Sequence, residues 1–121
     1  MSKLILHLDD EPAIREVFAA YLTVQGYRVI SVASPTEALH AAAENRPDLF
    51  ISDLQLDEGD GFETIRQMHA ILPGVPVLIL TGVLIDAQIA RQSIARESVS
   101  YVSKTTPLDK IVNEVRRLAG G

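Results

Sequence analysis

Apolar residues come along this chain in short runs, and most runs are followed by a stretch where they recur every three or four positions. Leu4–Leu8 is the first run. Ile14, Val17, Phe18, Tyr21 and Leu22 then return at helical spacing after Pro12 and stop at Gly26. Tyr27–Val32 is β-branched and partly alternating, which predicts a second strand. Ser34, Pro35 and Glu37 open the next helix as cap, first-turn proline and capping-box acid. That helix carries Ala38, Leu39 and Ala42 on one side and ends before Pro47. Leu49–Ser52 is a third strand, and the Asp- and Gly-rich stretch Asp57–Gly61 separates it from a helix bearing Phe62, Ile65 and Met68. Val75–Leu80 is the fourth strand and the most continuously apolar. A helix near Asp86–Arg96 follows, with Ile85, Ile89 and Ala90 inward, then a short fifth strand at Ser100–Val102. The last helix begins at Thr106-Pro107 and presents Leu108, Ile111, Val112, Val115 and Leu118 as one stripe.

Strands alternating with helices predict an α/β protein, a three-layer, doubly wound (βα)5 parallel sheet with helices on both faces. Connections this short require right-handed crossovers, and one domain over residues 1–121 is expected. Composition agrees: 47% hydrophobic and 22% charged residues is globular, not disordered. A net charge of −5 with no basic stripe argues against direct nucleic-acid binding. The chain has no cysteine, hence no disulfide frame and no thiolate metal site. "MSKLILHLDD" is neither a signal peptide nor a membrane span, so a cytoplasmic location without membrane attachment is expected.

In open α/β sheets, sites form at the carboxyl ends of the strands. Strand one ends in Asp9-Asp10, strand three in Asp53 and strand four in Thr81-Gly82, while Lys104 follows strand five. Strand two ends in nothing reactive. Taken singly, each has an ordinary role: the acids as caps and helix-dipole partners, Thr81 as a strand-end hydroxyl, Lys104 as a solvated cation. Their conjunction at one edge points to phosphoryl chemistry. Clustered carboxylates raise one another's pKa, and a divalent cation relieves that penalty. Mg²⁺ takes about six oxygens, with one or two carboxylates, waters and a phosphate among them. Lys104 and Thr81 suit phosphoryl oxygens, Gly82 leaves room and a free N–H, and a carboxylate is the candidate nucleophile.

With these residues in place, the chain resembles the receiver domain of two-component response regulators from Leu4 to Leu118. The resemblance rests on "LDDE", "SDLQL…DG", "LTG" and "YVSK" after or at strands one, three, four and five. It implies a flavodoxin-like sheet of order 2-1-3-4-5. It implies Asp53 as phosphoacceptor, and Mg²⁺ (or Mn²⁺) held by Asp9, Asp10, Asp53 and the backbone carbonyl of Gln55. Lys104 would contact the phosphoryl group, and Thr81 and Tyr101 would be the switch pair. The implied partners are a sensor histidine kinase or histidine phosphotransfer protein, and an output domain or protein. The output partner would read the face formed by the fourth helix, fifth strand and fifth helix, with phosphorylation-dependent homodimers also open. The domain would catalyse only its own phosphorylation and dephosphorylation.

The chain also departs from that family's usual pattern. Thr105 follows Lys104 where proline is common, so a trans Lys104–Thr105 bond and a less rigidly held Lys104 are expected. Asp57 stands where proline is usual and Gly59 where methionine is usual, so a more acidic and more mobile loop after Asp53 is expected, and Glu97-Ser98 alters the face before strand five. Three alternatives compete. An aspartate-nucleophile phosphatase of the haloacid-dehalogenase type lacks its Asp-x-Asp spacing here. A flavodoxin-like electron carrier would place FMN phosphate against "DDEPAI". A pseudo-receiver, an interaction module that takes no phosphoryl group, is the runner-up. Of the remaining polar residues, His7 reads as a core histidine with one hydrogen-bond partner. His40 and His69 read as surface residues, and Glu11 as a first-turn dipole partner beside Pro12, with an accessory role near the metal left open.

Overall fold

The computed structural model describes residues 2–53, 61–81 and 99–120, the side chain of Thr81 excepted. Five parallel strands, β1 (Leu4–Leu8), β2 (Arg28–Val32), β3 (Leu49–Ser52), β4 (Val77–Thr81) and β5 (Val99–Ser103), lie in the order β2-β1-β3-β4-β5. The described helices are α1 (Pro12–Val24), α2 (Pro35–Glu44), α3 (Gly61–Ile71) and α4 (Leu108–Ala119). The doubly wound parallel sheet expected from the alternation is therefore the fold. The segment near Asp86–Arg96 lies outside the described residues.

Period-two alternation divides the core between the two faces of the sheet. Ile5, Leu49, Ile51, Leu78 and Leu80 pack with Phe18 and Leu22 of α1 and Ile111, Val112 and Val115 of α4. Their strand neighbours Leu6, Leu8, Phe50, Val77 and Ile79 pack with Ala38 and Ala42 of α2 and Ile65 and Met68 of α3. Because both faces are covered, the central strands β1, β3 and β4 are apolar at every position except His7, Ser52 and Thr81.

Local chemistry explains the element ends. Ser34 Oγ accepts from Glu37 N at 3.3 Å, while Glu37 Oε2 reaches back to Ala33 N at 3.3 Å, one residue beyond the usual capping-box donor. α4 ends at Gly120, whose φ of 74° is the left-handed conformation that glycine adopts freely. β4 starts two residues later than the sequence predicts, immediately after Pro76, which has no N–H to give a ladder.

Three side chains depart from expectation. Val17 is half exposed, because α1 turns Phe18 and Leu22 to the sheet and Val17 lies off that stripe. His69 is a buried residue, not a surface one: it follows Ile65 and Met68 on the inner face of α3, with Nε2 3.3 Å from the Val75 carbonyl. His40 is exposed and pairs with Glu44. His7 is in the core, 1% exposed and edge-on to Phe18, but neither ring nitrogen has a hydrogen-bond partner.

Burying a polar group without a partner costs about 1–3 kcal/mol, so His7→Leu is expected to stabilise the protein by about that much at neutral pH. Burial, then the charges of Lys104 and Arg15, lower the His7 pKa to about 4 from its usual 6.5, against a smaller opposing effect of Asp53. The unfolded chain thus takes up this proton before the folded one does. The contribution is intact above pH 6.5 and is lost as pH falls toward 4, up to ~3 kcal/mol over that window. Urea unfolding from pH 7 to 4 checks this: the parent should lose stability more steeply than His7→Leu, and parallel curves would contradict it.

Candidate functional site

The alternation that builds the core also aims the site. Ile5 and His7 precede Asp9 at alternate positions, Leu49 and Ile51 precede Asp53, and Val102 precedes Lys104. Ile5, Leu49, Ile51 and Val102 belong to the face under α1 and α4. Asp9, Asp53 and Lys104 therefore leave their strands in the same phase. The backbone fixes the acids further: Asp9 N donates to the Val32 carbonyl and Asp53 N to the Leu8 carbonyl, each at 3.1 Å. Both carboxylate residues are buried, at 0% and 3% exposure. Asp10 beside them is half-buried and Glu11 is exposed.

Lys104 closes the cluster. Its Nζ donates to Asp53 Oδ2 at 2.8 Å and to Glu11 Oε1 at 3.0 Å. It also lies 3.0 Å from Asp9 Oδ2, an ion-pair contact outside hydrogen-bond geometry. Asp9 Oδ1 accepts from Glu11 N at 2.9 Å, and Arg15 Nη1 donates to the Asp9 carbonyl at 2.7 Å. The loop that carries the acids is thus held from both ends of its own peptide.

One carboxylate oxygen from each of Asp9, Asp10, Glu11 and Asp53 lies within 4.8 Å of the others. Three of these four carboxylates contact the Lys104 ammonium, so among the described residues the cluster holds more acidic groups than cations. Burial pushes the Asp9 carboxyl above its usual range and the charge of Asp53 adds to this, opposed by the Glu11 N–H and by Lys104. For Lys104 burial works the other way, but the carboxylates of Asp53, Asp9 and Glu11 outweigh it and hold the ammonium above its usual pKa. An all-oxygen donor set with surplus negative charge, partly out of water, fits a hard divalent cation such as Mg²⁺.

The sequence-predicted residues separate as follows. Asp9, Asp10, Asp53 and Lys104 come together. Thr81 ends β4, its backbone in register with Ser103. Its side chain lies outside the described residues, as do Gln55, Gly82, Asp57, Gly59, Glu97 and Ser98. Tyr101 is half-buried in β5 and packs on the other face, against the cluster under α2 and α3. The Lys104–Thr105 bond is trans. Sequence reasoning missed the pairing of Glu11 with Lys104 and the bond from Arg15. Glu11 and Lys104 stand 93 positions apart, and no local pattern links them.

This geometry has relatives. Residues 5–116 match the family described as the response regulator receiver domain, and the chain belongs to that family. It is 36% identical over 108 residues to the transcriptional regulatory protein GlrR of Escherichia coli K12, a match covering 88% of this chain and 23% of that protein. It is 35% identical over 123 residues to the response regulator protein VraR of Staphylococcus aureus NCTC 8325, covering 100% of this chain and 58% of VraR. The chain thus spans less than two thirds of the length of these curated relatives. Among solved structures it superposes on the Vibrio cholerae chemotaxis protein CheY4 with a TM-score of 0.89 at 24% identity, covering 98% of this chain and 99% of CheY4. The receiver domain of the hybrid histidine kinase CckA gives a TM-score of 0.81 at 28% identity, with 96% and 98% covered. The chain is therefore a receiver-domain signalling module rather than a conventional enzyme. Among the described residues, no helix is long and apolar enough to cross a membrane.

Proposed function

We propose that this receiver domain takes a phosphoryl group on Asp53 from a phosphohistidine of a sensor kinase or phosphotransfer protein. The observation that carries the reading is the Lys104 ammonium, 2.8 Å from Asp53 Oδ2 at the edge where Asp9 and Asp10 also present oxygens. An Asp53 oxygen attacks phosphorus in line, the N–P bond breaks, and the imidazole leaves with its electron pair. Lys104 neutralises charge on the phosphoryl oxygens during transfer. Water later cleaves the acyl phosphate, returning Asp53 and inorganic phosphate.

Asp9, Asp10 and Asp53 would hold Mg²⁺ through their carboxylates, and the family resemblance adds the Gln55 carbonyl as a further donor. When bound, it supplies positive charge for the phosphoryl oxygens and relieves the repulsion among the acids. Thr81 and the Gly82 N–H would receive the phosphoryl oxygens, and Tyr101 would follow Thr81 inward. The phosphoryl group would then bias a two-state surface that includes β5 and α4, to which the family resemblance adds the segment near 86–96. An output domain or protein reads that surface, or a second copy pairs with it, in the cytoplasm.

Incubation with Mg²⁺ and acetyl phosphate, followed by intact mass, tests the reading. A labile gain of one phosphoryl group is expected. No gain at saturating donor would replace it with the pseudo-receiver, an interaction module that is not phosphorylated. Mg²⁺ alone should raise the melting temperature, and Asp10→Asn should shrink that rise; identical melts with and without Mg²⁺ would remove the metal from the account.

A further inference from the structure

The turn that carries Lys104 is closed by three hydrogen bonds that converge on Ser103. Thr106 N donates to the Ser103 carbonyl at 3.0 Å, closing a four-residue turn with Lys104 at its second position. Thr105 N donates to Ser103 Oγ at 3.2 Å. The two hydroxyls lie 2.7 Å apart. With Ser103 Oγ already accepting from Thr105 N, its own O–H is free to donate to Thr105 Oγ1. The side chains flanking Lys104 are thus bonded to each other across it.

We infer that Ser103 and Thr105 are positioning residues for Lys104, their hydroxyls clasping the turn so that the ammonium is presented to Asp53 at a fixed place. The inference rests on the phosphoacceptor reading and deepens it. A lysine ammonium sits at the end of four rotatable carbons, and its three carboxylate contacts of 2.8–3.0 Å fix only the far end. The near end is the backbone at 104. Residue 105 is a threonine, which unlike proline has an N–H as well as a hydroxyl, and both are used on Ser103. Side-chain bonds to the local backbone fix turns in this way. Small misplacements of a charge that must meet a transferring group are expensive in rate.

The test follows the Lys104 Nζ–H signal by ¹⁵N NMR, assigned by its loss in Lys104→Arg, beside the phosphorylation rate with acetyl phosphate and Mg²⁺. Ser103→Ala is expected to speed hydrogen exchange at the ammonium and slow phosphorylation, each roughly three- to tenfold, the worth of one or two hydrogen bonds. Ser103→Thr restores both. Thr105→Val, which keeps the N–H bond and loses the hydroxyl pair, shows a smaller change of the same sign. Unchanged exchange in Ser103→Ala, faster exchange with an unchanged rate, or no rescue by Ser103→Thr would overturn the inference. Should Ser103→Ala not fold, Thr105→Val decides: faster exchange supports the clasp and unchanged exchange overturns it. If the parent protein takes no phosphoryl group, the phosphoacceptor reading falls and the exchange data alone judge the clasp.

Discussion

Lys104→Met should destabilise the metal-free protein by about 3 kcal/mol, the low end of what breaking a buried ion pair costs. The ammonium faces Asp9 and Asp53, both nearly fully buried. Methionine keeps much of the volume and removes the charge, so two carboxylates are left facing each other out of water. Glu11 is exposed and relaxes into solvent at little cost, which is why the low end applies. The pH dependence has a definite sign. The folded Asp9 carboxyl already lies above its ordinary 3.8 through burial, so its contribution favours folding when protonated and is lost as pH rises. Removing Lys104 takes away a charge that lowers that pKa, so the optimum of the variant should move to more acid pH. Millimolar Mg²⁺ should recover part of the loss. Urea unfolding with chelator and with Mg²⁺ measures all three effects; a loss below about 1 kcal/mol would mean that the cluster is solvated and the ammonium dispensable.

Asp53→Asn should abolish the labile mass gain while leaving the fold intact. An amide oxygen is a poor nucleophile and gives no stable acyl phosphate, so the effect is loss of the reaction rather than slowing. Asparagine matches aspartate in volume, and Lys104 keeps Asp9 and Glu11 as partners. The stability change should accordingly be smaller than for Lys104→Met. Residual phosphorylation at the parent rate would place the acceptor elsewhere, with Asp9 and Asp10 the next candidates.

Much of this was legible in the chain because the strands announce their own ends. Leu4–Leu8 and Leu49–Ser52 are apolar runs stopped by acids, and the structure begins and ends β1 and β3 there. Once a parallel sheet is inferred, Asp9, Asp53 and Lys104 must share an edge, and they do. The start of β4 is not where the apolar run begins, because Val75 is buried like a strand residue while Pro76 has no N–H to donate and offers the sheet only its carbonyl, to Phe50 N. His69 was misread by residue type, although its spacing from Ile65 and Met68 places it inward. The unpaired nitrogens of His7 and the reach of Glu11 to Lys104 were not legible, since both depend on which side chains meet across the sheet edge.

The central claim is that the Asp53 carboxylate itself becomes the acyl phosphate. Borohydride reduces an aspartyl phosphate to homoserine and spares free carboxylates. The protein, treated with acetyl phosphate and Mg²⁺, reduced, digested and sequenced by mass, should carry homoserine at position 53 and at no other aspartate. Homoserine at position 9 or 10, or none anywhere under saturating donor, would contradict the account.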